Sequence, residues 1–206
     1  NSLDSRVGTV TGTWDHFKKW KRGENEGAVP LFNLETALRG VCEPRRFLDL
    51  VENFTLFSEQ KSGIAKILAQ NHQFLGVNRS LAAVEVAKGD ATKGAKLGVF
   101  WHTQGSGKSF SMVFFSQKIL RTLPGNWTFV MLTDREDLDD QIYKTFAGCG
   151  AVTEKHVQAT SGAHLKDLLT EDHRSVFTLI QKFRTDVKGM AYPKLSDRKD
   201  IIVIAD

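Results

Sequence analysis

An α/β fold, with a parallel sheet flanked by helices on both faces, is what this sequence predicts, on three observations. Short β-favouring apolar runs (LGVFW, WTFVML, HVQA, VFTLI, IIVIA) alternate with helix-patterned segments from about residue 96 onward. The octet HTQGSGKS stands between the first run and the long apolar-rich stretch SFSMVFFSQKILRTL. That order of strand, glycine turn and helix is the setting of a phosphate-binding loop. Residues 1–55 differ in texture, and the organisation expected is a helical attachment over 1–55 followed by an α/β lobe over 56–206.

Taken in order, WDHFKKWKRGENEGAVP interleaves Trp14, Phe17 and Trp20 with basic residues before a Gly/Glu/Asn-rich turn region. Two readings stay open: a nucleic-acid contact, since cations meet phosphates and rings stack on bases, or a surface helix with its aromatic side against the neighbouring domain. NLETALRG has Asn33 as an N-cap and Gly40 as a C-terminal stop. PRRFLDLVENF opens on Pro44 and sets Phe47, Leu50, Val51 and Phe54 on one helical face. Glu59 to Lys88 reads as mostly helical, with Ile64, Ile67 and Leu68, then Phe74, Val77, Leu81 and Val84, at helical spacing. After the polar turn DATKGAK come the strand and helix alternations, with helices expected from Asp134 and from Ala163. TDREDLDDQ carries a capping-box pattern in Thr133 and Glu136, and Leu138, Ile142 and Phe146 form an apolar stripe.

Composition narrows the classes. The chain has 206 residues, 41% hydrophobic and 25% charged, with a net charge of +4. That is the balance of a globular domain with a substantial core. A pI near 9.1 is compatible with a nucleic-acid partner without requiring one. Cys42 and Cys149 have no metal-ligand spacing and read as thiols of a reducing compartment. No apolar run approaches the ~18 residues that cross a membrane, the chain opens on Asn1, and it ends on IIVIAD. A fragment cut at both ends is the expectation.

The loop carries the chemistry. Gly105 and Gly107 admit close approach of the backbone to phosphates, with Thr103, Gln104 and Ser106 completing the turn. Lys108 reaches the β- and γ-phosphates of a nucleotide, and the Ser109 hydroxyl is placed to ligate Mg²⁺. His102 stands where the general pattern has Gly, at the end of the strand-like run and before the turn tightens. Asp206, following IIVIA, is a second carboxylate for Mg²⁺ at the carboxyl end of a strand. The six histidines form no zinc-type cluster, and His72 and His102 read as packing or surface residues.

Together with DREDLDDQIYKTF, TLIQKF and IIVIAD, this loop resembles the motor (restriction) subunit of type I restriction-modification enzymes, a superfamily 2 helicase-like translocase. The similarity runs from about residue 45 to the end. HTQGSGKS matches the family's first motif, whose leading position is often not Gly. TDREDLDDQ looks like motif Ia, and QATSGAHLKDLL with TLIQKF looks like the DNA-tracking segments that come after it. Asp206 falls where the DEAH-type second motif begins, with its glutamate expected next. NHQFLGV resembles the glutamine motif that reads adenine, implicating Gln73.

The resemblance implies a RecA-like P-loop NTPase lobe using ATP and Mg²⁺, in the cytoplasm and not in a membrane. It also implies double-stranded DNA and the modification and specificity subunits as partners, and ATP-driven translocation on duplex DNA before cleavage by the endonuclease. Thr133, Arg135, Gln181 and Lys182 are the DNA-contact candidates, set against plain capping for the first pair and surface decoration for the second. The nuclease carboxylates and lysine would lie upstream of Asn1, and the second motor lobe with its arginine finger downstream of Asp206. Two other readings remain: a DNA or RNA helicase of another system, and a nucleotide-binding interaction module without turnover.

Overall fold

The computed structural model describes residues 5–23, 33–60, 63–89, 96–183 and 193–206. The chain forms two compact units, Asn1–Lys118 and Ile119–Asp206. The first contains β1 (Arg6–Val7), β2 (Lys18–Lys19), α1 (Leu34–Val41), α2 (Pro44–Asn53), β3 (Thr55–Gln60), β4 (Gly63–Leu68), α3 (Asn71–Gly89) and most of α4 (Lys108–Thr122). The second contains β5 (Thr128–Thr133), α5 (Glu136–Gly148), α6 (Gly162–Thr170), β6 (Ser175–Leu179) and β7 (Ile201–Ala205). The unit boundary differs from the change of texture at residue 55. Trp20 and Phe54 share a core with Phe74 and Phe114, so the early residues do not stand apart.

In the first unit, Asn33 caps α1 as expected, accepting from the Thr36 amide at 2.7 Å. Pro44 opens α2, where Glu43 accepts from the Arg46 amide. Of the four apolar residues expected on one face of α2, Leu50 and Phe54 are buried while Phe47 and Val51 are exposed. The core is aromatic. Phe54 lies 4.7 Å from Phe74 and 5.7 Å from Phe114 between ring centroids, and Trp20 lies 5.6 Å from Phe74. Such pairs add ~0.5–1.5 kcal/mol each beyond their buried area.

Three expectations are corrected here. The helix expected from Glu59 is an antiparallel hairpin, β3 with β4, in which Thr55 faces Leu68 and Gln60 faces Gly63. Gly63 sits at φ +116°, a conformation L side chains rarely adopt, and this lets the chain reverse there. Ile64, Ile67 and Leu68 are strand residues, their helical spacing incidental. The aromatic-basic segment is not a helix either. Over its described residues, 14–23, it has a single turn at Trp14–His16 and then β2, which pairs with β1, and Arg6 lies over the Trp14 ring at 4.8 Å; the turn-region reading of 24–30 lies outside the described residues. Gly40 does not stop α1, which continues to Val41.

Gly40 has another task. A Cβ there would meet the Trp20 indole at 2.1 and 2.3 Å, so the helix accepts the buried Trp20 only where it carries no side chain. The indole is rigid and enclosed. Gly40→Ala is expected to destabilise the protein by ~1–3 kcal/mol, as overpacking does, despite the better helix propensity of Ala. Urea unfolding checks this, and a neutral or stabilising result would show that Trp20 yields.

The second unit is a three-stranded parallel sheet in the order β6-β5-β7. Val130 and Val176 pack with Leu165, Leu168 and Leu169 of α6. Phe177, adjacent to Val176 and so directed to the opposite face, meets Tyr143 and Phe146 of α5 at 5.3 and 5.5 Å. A parallel sheet covered on both faces is the expected α/β architecture.

HVQA contributes less than a strand: one parallel bridge, Gln158 with Phe177. His156 at φ +65° ends extended geometry where that strand would begin. LGVFW is not a strand among the described residues, and Val99 and Trp101 are 89% and 90% exposed. Gly98 at φ +141° breaks the extended backbone in its middle.

His173 sits between two carboxylates, its Nδ1 at Glu154 and its Nε2 2.8 Å from Glu171. Partial burial opposes its protonation, but the two acidic partners outweigh burial and raise its pKa above the ordinary imidazole value. The folded state therefore binds this proton more tightly than the unfolded chain. Its contribution is complete below about pH 6.5 and is lost as pH rises through the elevated native value. His173→Gln should cost more stability at pH 6 than at pH 9 in urea titrations, and an equal cost at both would contradict the ion-pair account.

Candidate nucleotide site

The glycine loop begins after the exposed Trp101 and ends where Lys108 opens α4. Gly105 and Gly107 both have positive φ, +75° and +81°, the left-handed region that favours glycine. Left-handed residues set among ordinary ones turn successive backbone amides toward a common concavity, which is an anion nest. The Ser106 amide donates to the Thr103 carbonyl at 3.2 Å and closes the turn. The helix's own ladder then starts with the Ser111 amide donating to Gly107 at 3.1 Å. The amides of Lys108, Ser109 and Phe110 consequently have no acceptor within the helix, as at every helix start. They lie at its positive end.

Two side chains from the first turn of α3 hold the loop from beneath. His72 Nε2 donates to the Ser106 carbonyl at 3.1 Å, since a carbonyl oxygen only accepts. Gln73 Nε2 donates to the Gly107 carbonyl at 2.9 Å and to Ser111 Oγ at 3.3 Å. Gln73 Oε1 accepts from the Gln70 amide at 2.8 Å. Gln73 is 3% exposed, and its amide is bonded on both sides. Gly107 is required twice over: by its φ, and because a Cβ would stand 3.0 Å from Gln73 Nε2. His102 packs edge-on against His72 with ring centroids 4.5 Å apart, so the residue standing for the usual glycine points into packing.

These residues suit a nucleotide polyphosphate with its metal ion. The nest offers amides, the half-buried Lys108 has no side-chain hydrogen bond or ion pair to another described residue, and Ser109 follows it at the helix start. The Ser106 hydroxyl is buried and has no partner among the described residues. Among the described residues no group of histidines, cysteines and carboxylates could hold a metal by itself. A Mg²⁺ here would come with the phosphates.

In the second unit, the remaining candidates gather at the carboxyl edge of the sheet. Thr133 ends β5, Gln181 and Lys182 lie in the single turn Ile180–Phe183 after β6, and Asp206 follows β7. The Asp206 amide donates to Leu132 at 3.0 Å and its side chain is exposed. Gln181 Nε2 donates to the Asp134 carbonyl at 2.7 Å, and Lys182 Nζ donates to the Thr160 carbonyl at 2.9 Å. Thr133 is buried, and its hydroxyl donates to the Arg135 carbonyl at 3.4 Å instead of capping α5. The capping-box expectation is thus corrected: the N-cap is Arg135, which makes no side-chain capping bond. Glu136, Asp137 and Asp139 still place negative charge at the helix's positive end. Arg135 is exposed beside Asp134 and Asp137, at 4.0 and 3.7 Å.

Sequence reasoning missed Asn71 and the loop-holding role of His72. Their adjacency to Gln73 in NHQF was the available signal, but only the fold aims both His72 and Gln73 at the loop.

Residues 72–206 match the family model described as SWI2/SNF2 ATPase. Over its whole length the chain is 36% identical to the type I restriction enzyme HindI endonuclease subunit of Haemophilus influenzae, of which it covers 20%. It is 30% identical, again over its whole length, to a candidate type I restriction enzyme MjaIXP endonuclease subunit of Methanocaldococcus jannaschii, of which it covers 21%. A third relative, a candidate MjaVIIIP endonuclease subunit from the same archaeon, is 26% identical over 62% of the chain. The chain spans about a fifth of the length of the first two curated relatives.

Proposed function

Because this chain belongs to the SWI2/SNF2 ATPase family, we propose that it is the first lobe of an ATP-driven motor that moves duplex DNA for a type I restriction endonuclease. The phosphate loop carries this reading: two left-handed glycines at the start of a 15-residue helix headed by Lys108 and Ser109. The kinship to restriction endonuclease subunits supplies the biological setting, with DNA and the modification and specificity subunits as partners.

ATP with Mg²⁺ supplies the free energy when bound. The loop amides and the α4 N-terminus would receive phosphate charge, Lys108 would neutralise the β- and γ-phosphates, and the Ser109 hydroxyl would hold the metal. Asp206 takes the role of the second metal-orienting carboxylate. Thr103, Gln104, Gly105, Ser106 and Gly107 shape the cradle. Gln73 belongs to the same set as the brace of Gly107, and selecting adenine would require its amide to leave Gly107 and Ser111. Arg135, Gln181 and Lys182 serve this reading as DNA contacts, and the buried Thr133 supports them through its hydroxyl bond to the Arg135 carbonyl. Residues 1–55 lead into the lobe from the nuclease side.

Displacement of a triplex-forming strand from a plasmid carrying the recognition site tests the proposal in the assembled full-length enzyme. Displacement that requires ATP and Mg²⁺ is expected. Hydrolysis without displacement would leave an ATPase that does not translocate, and nucleotide binding without hydrolysis would leave an interaction module.

A further inference from the structure

The same turn of α3 that grips the loop is itself gripped from the other side. Asn71, 6% exposed, uses its whole amide on a strap of chain some fifty positions earlier. Its Oδ1 accepts from the Lys21 and Arg22 amides at 3.2 and 3.0 Å, and its Nδ2 donates to the Arg22 carbonyl at 2.9 Å. Arg46 Nη1 donates to the Gly23 carbonyl at 2.7 Å and fixes the strap's end. Trp20, 2% exposed, inserts between Gly40 and Phe74. On a helix, positions 71 and 74 share a face, while 72 and 73 point around the axis from it. One turn therefore carries strap contacts at Asn71 and Phe74 and loop contacts at His72 and Gln73. A helical turn is stiff, so moving the strap moves the two side chains that hold the Ser106 and Gly107 carbonyls.

We propose that the strap Trp20–Gly23, acting through Asn71, is a positioning element for the phosphate loop, so that strap docking and nucleotide affinity are coupled. The inference rests on the reading of that loop as a nucleotide site. Asn71 and Trp20 touch no nucleotide in this account. They set the loop's geometry through His72 and Gln73, and displacing the strap lowers affinity without altering any group that contacts phosphate.

Coupling between two sites is reciprocal, which gives a test free of mutational damage. In the full-length protein, a saturating non-hydrolysable ATP analogue should slow hydrogen exchange of the Lys21 and Arg22 amides. Asn71→Ala should weaken binding of a fluorescent ATP analogue by about 5-fold or more, within the range usual for coupled sites, at temperatures where circular dichroism matches wild type. Lys108→Ala is the reference. If it weakens analogue binding while wild-type strap amides exchange at the same rate with and without nucleotide, the coupling is overturned and the nucleotide site stands. If Lys108→Ala binds the analogue like wild type, the site reading fails and takes this inference with it.

Discussion

Lys108→Ala in the full-length protein is expected to lower ATP turnover by about 10²–10³-fold or more, the scale seen when one preorganised charge-stabilising donor is removed. The cause is local. Lys108 is the first residue of α4, half-buried, at the mouth of the nest formed around Gly105 and Gly107. The amides and helix dipole would still attract phosphate, so some nucleotide binding should persist. The mobile ammonium group can track the charge as it moves onto the leaving phosphate, so turnover should fall further than binding. Site-specific DNA binding by the assembled complex should be unaffected, whereas ATP-dependent strand displacement should disappear. A steady-state ATPase assay decides it, and normal turnover in this variant would refute the assignment of the loop.

The second large effect is expected far from the loop's chemistry. Lys118 is an ammonium with 7% side-chain exposure, held by both carboxylate oxygens of Asp49 at 2.6 Å. Asn78 Oδ1 accepts from it at 2.6 Å, and the Phe54 ring lies 4.8 Å away. Asn53 Nδ2 donates to Asp49 at 2.9 Å and Asn78 Nδ2 at 3.5 Å, so with Lys118 the carboxylate is satisfied from three helices. A buried ion pair adds little over an apolar pair of the same shape, but removing one partner strands the other charge, at a cost of ~3–5 kcal/mol. Asp49→Ala should therefore destabilise the protein by about that amount. The double variant Asp49→Leu with Lys118→Met should recover much of the loss, because no charge remains to be stranded. Denaturant titrations of wild type, Asp49→Leu, Lys118→Met and the double variant measure the coupling. Simple additivity of the two sites would show that Lys118 finds water or another partner when Asp49 is gone.

How far the sequence could be read depends on the range of each interaction. Strand β5, strand β6 and helices α4 and α6 were legible because apolar period and flanking turn residues report them within a few positions. Asn33 as a cap was legible for the same reason: its partner is three residues away. The hairpin β3–β4 was misread because Ile64, Ile67 and Leu68 satisfy a helical period by accident. What opposes that reading is a glycine at φ +116°, and a φ angle is not visible in a string of letters. The glycine turn before α4 was legible at Gly105 and Gly107, which stand at positive φ. Its glycines are needed for backbone conformations that few other residues adopt, so the chemistry leaves its mark on composition.

What sequence alone determined, then, is the α/β class, the order of most elements and the loop with its lysine and serine. Each of these rests on contacts between near neighbours or on the backbone limits of single residues. Tertiary structure alone decided that Gly40 exists to admit Trp20, that Asp49 neutralises Lys118, and that Asn71, His72 and Gln73 join a distant strap to the loop. Those partners lie about twenty to seventy positions apart. A buried polar side chain takes whichever partner the folded core brings within about 3 Å, and no local pattern encodes which one that is.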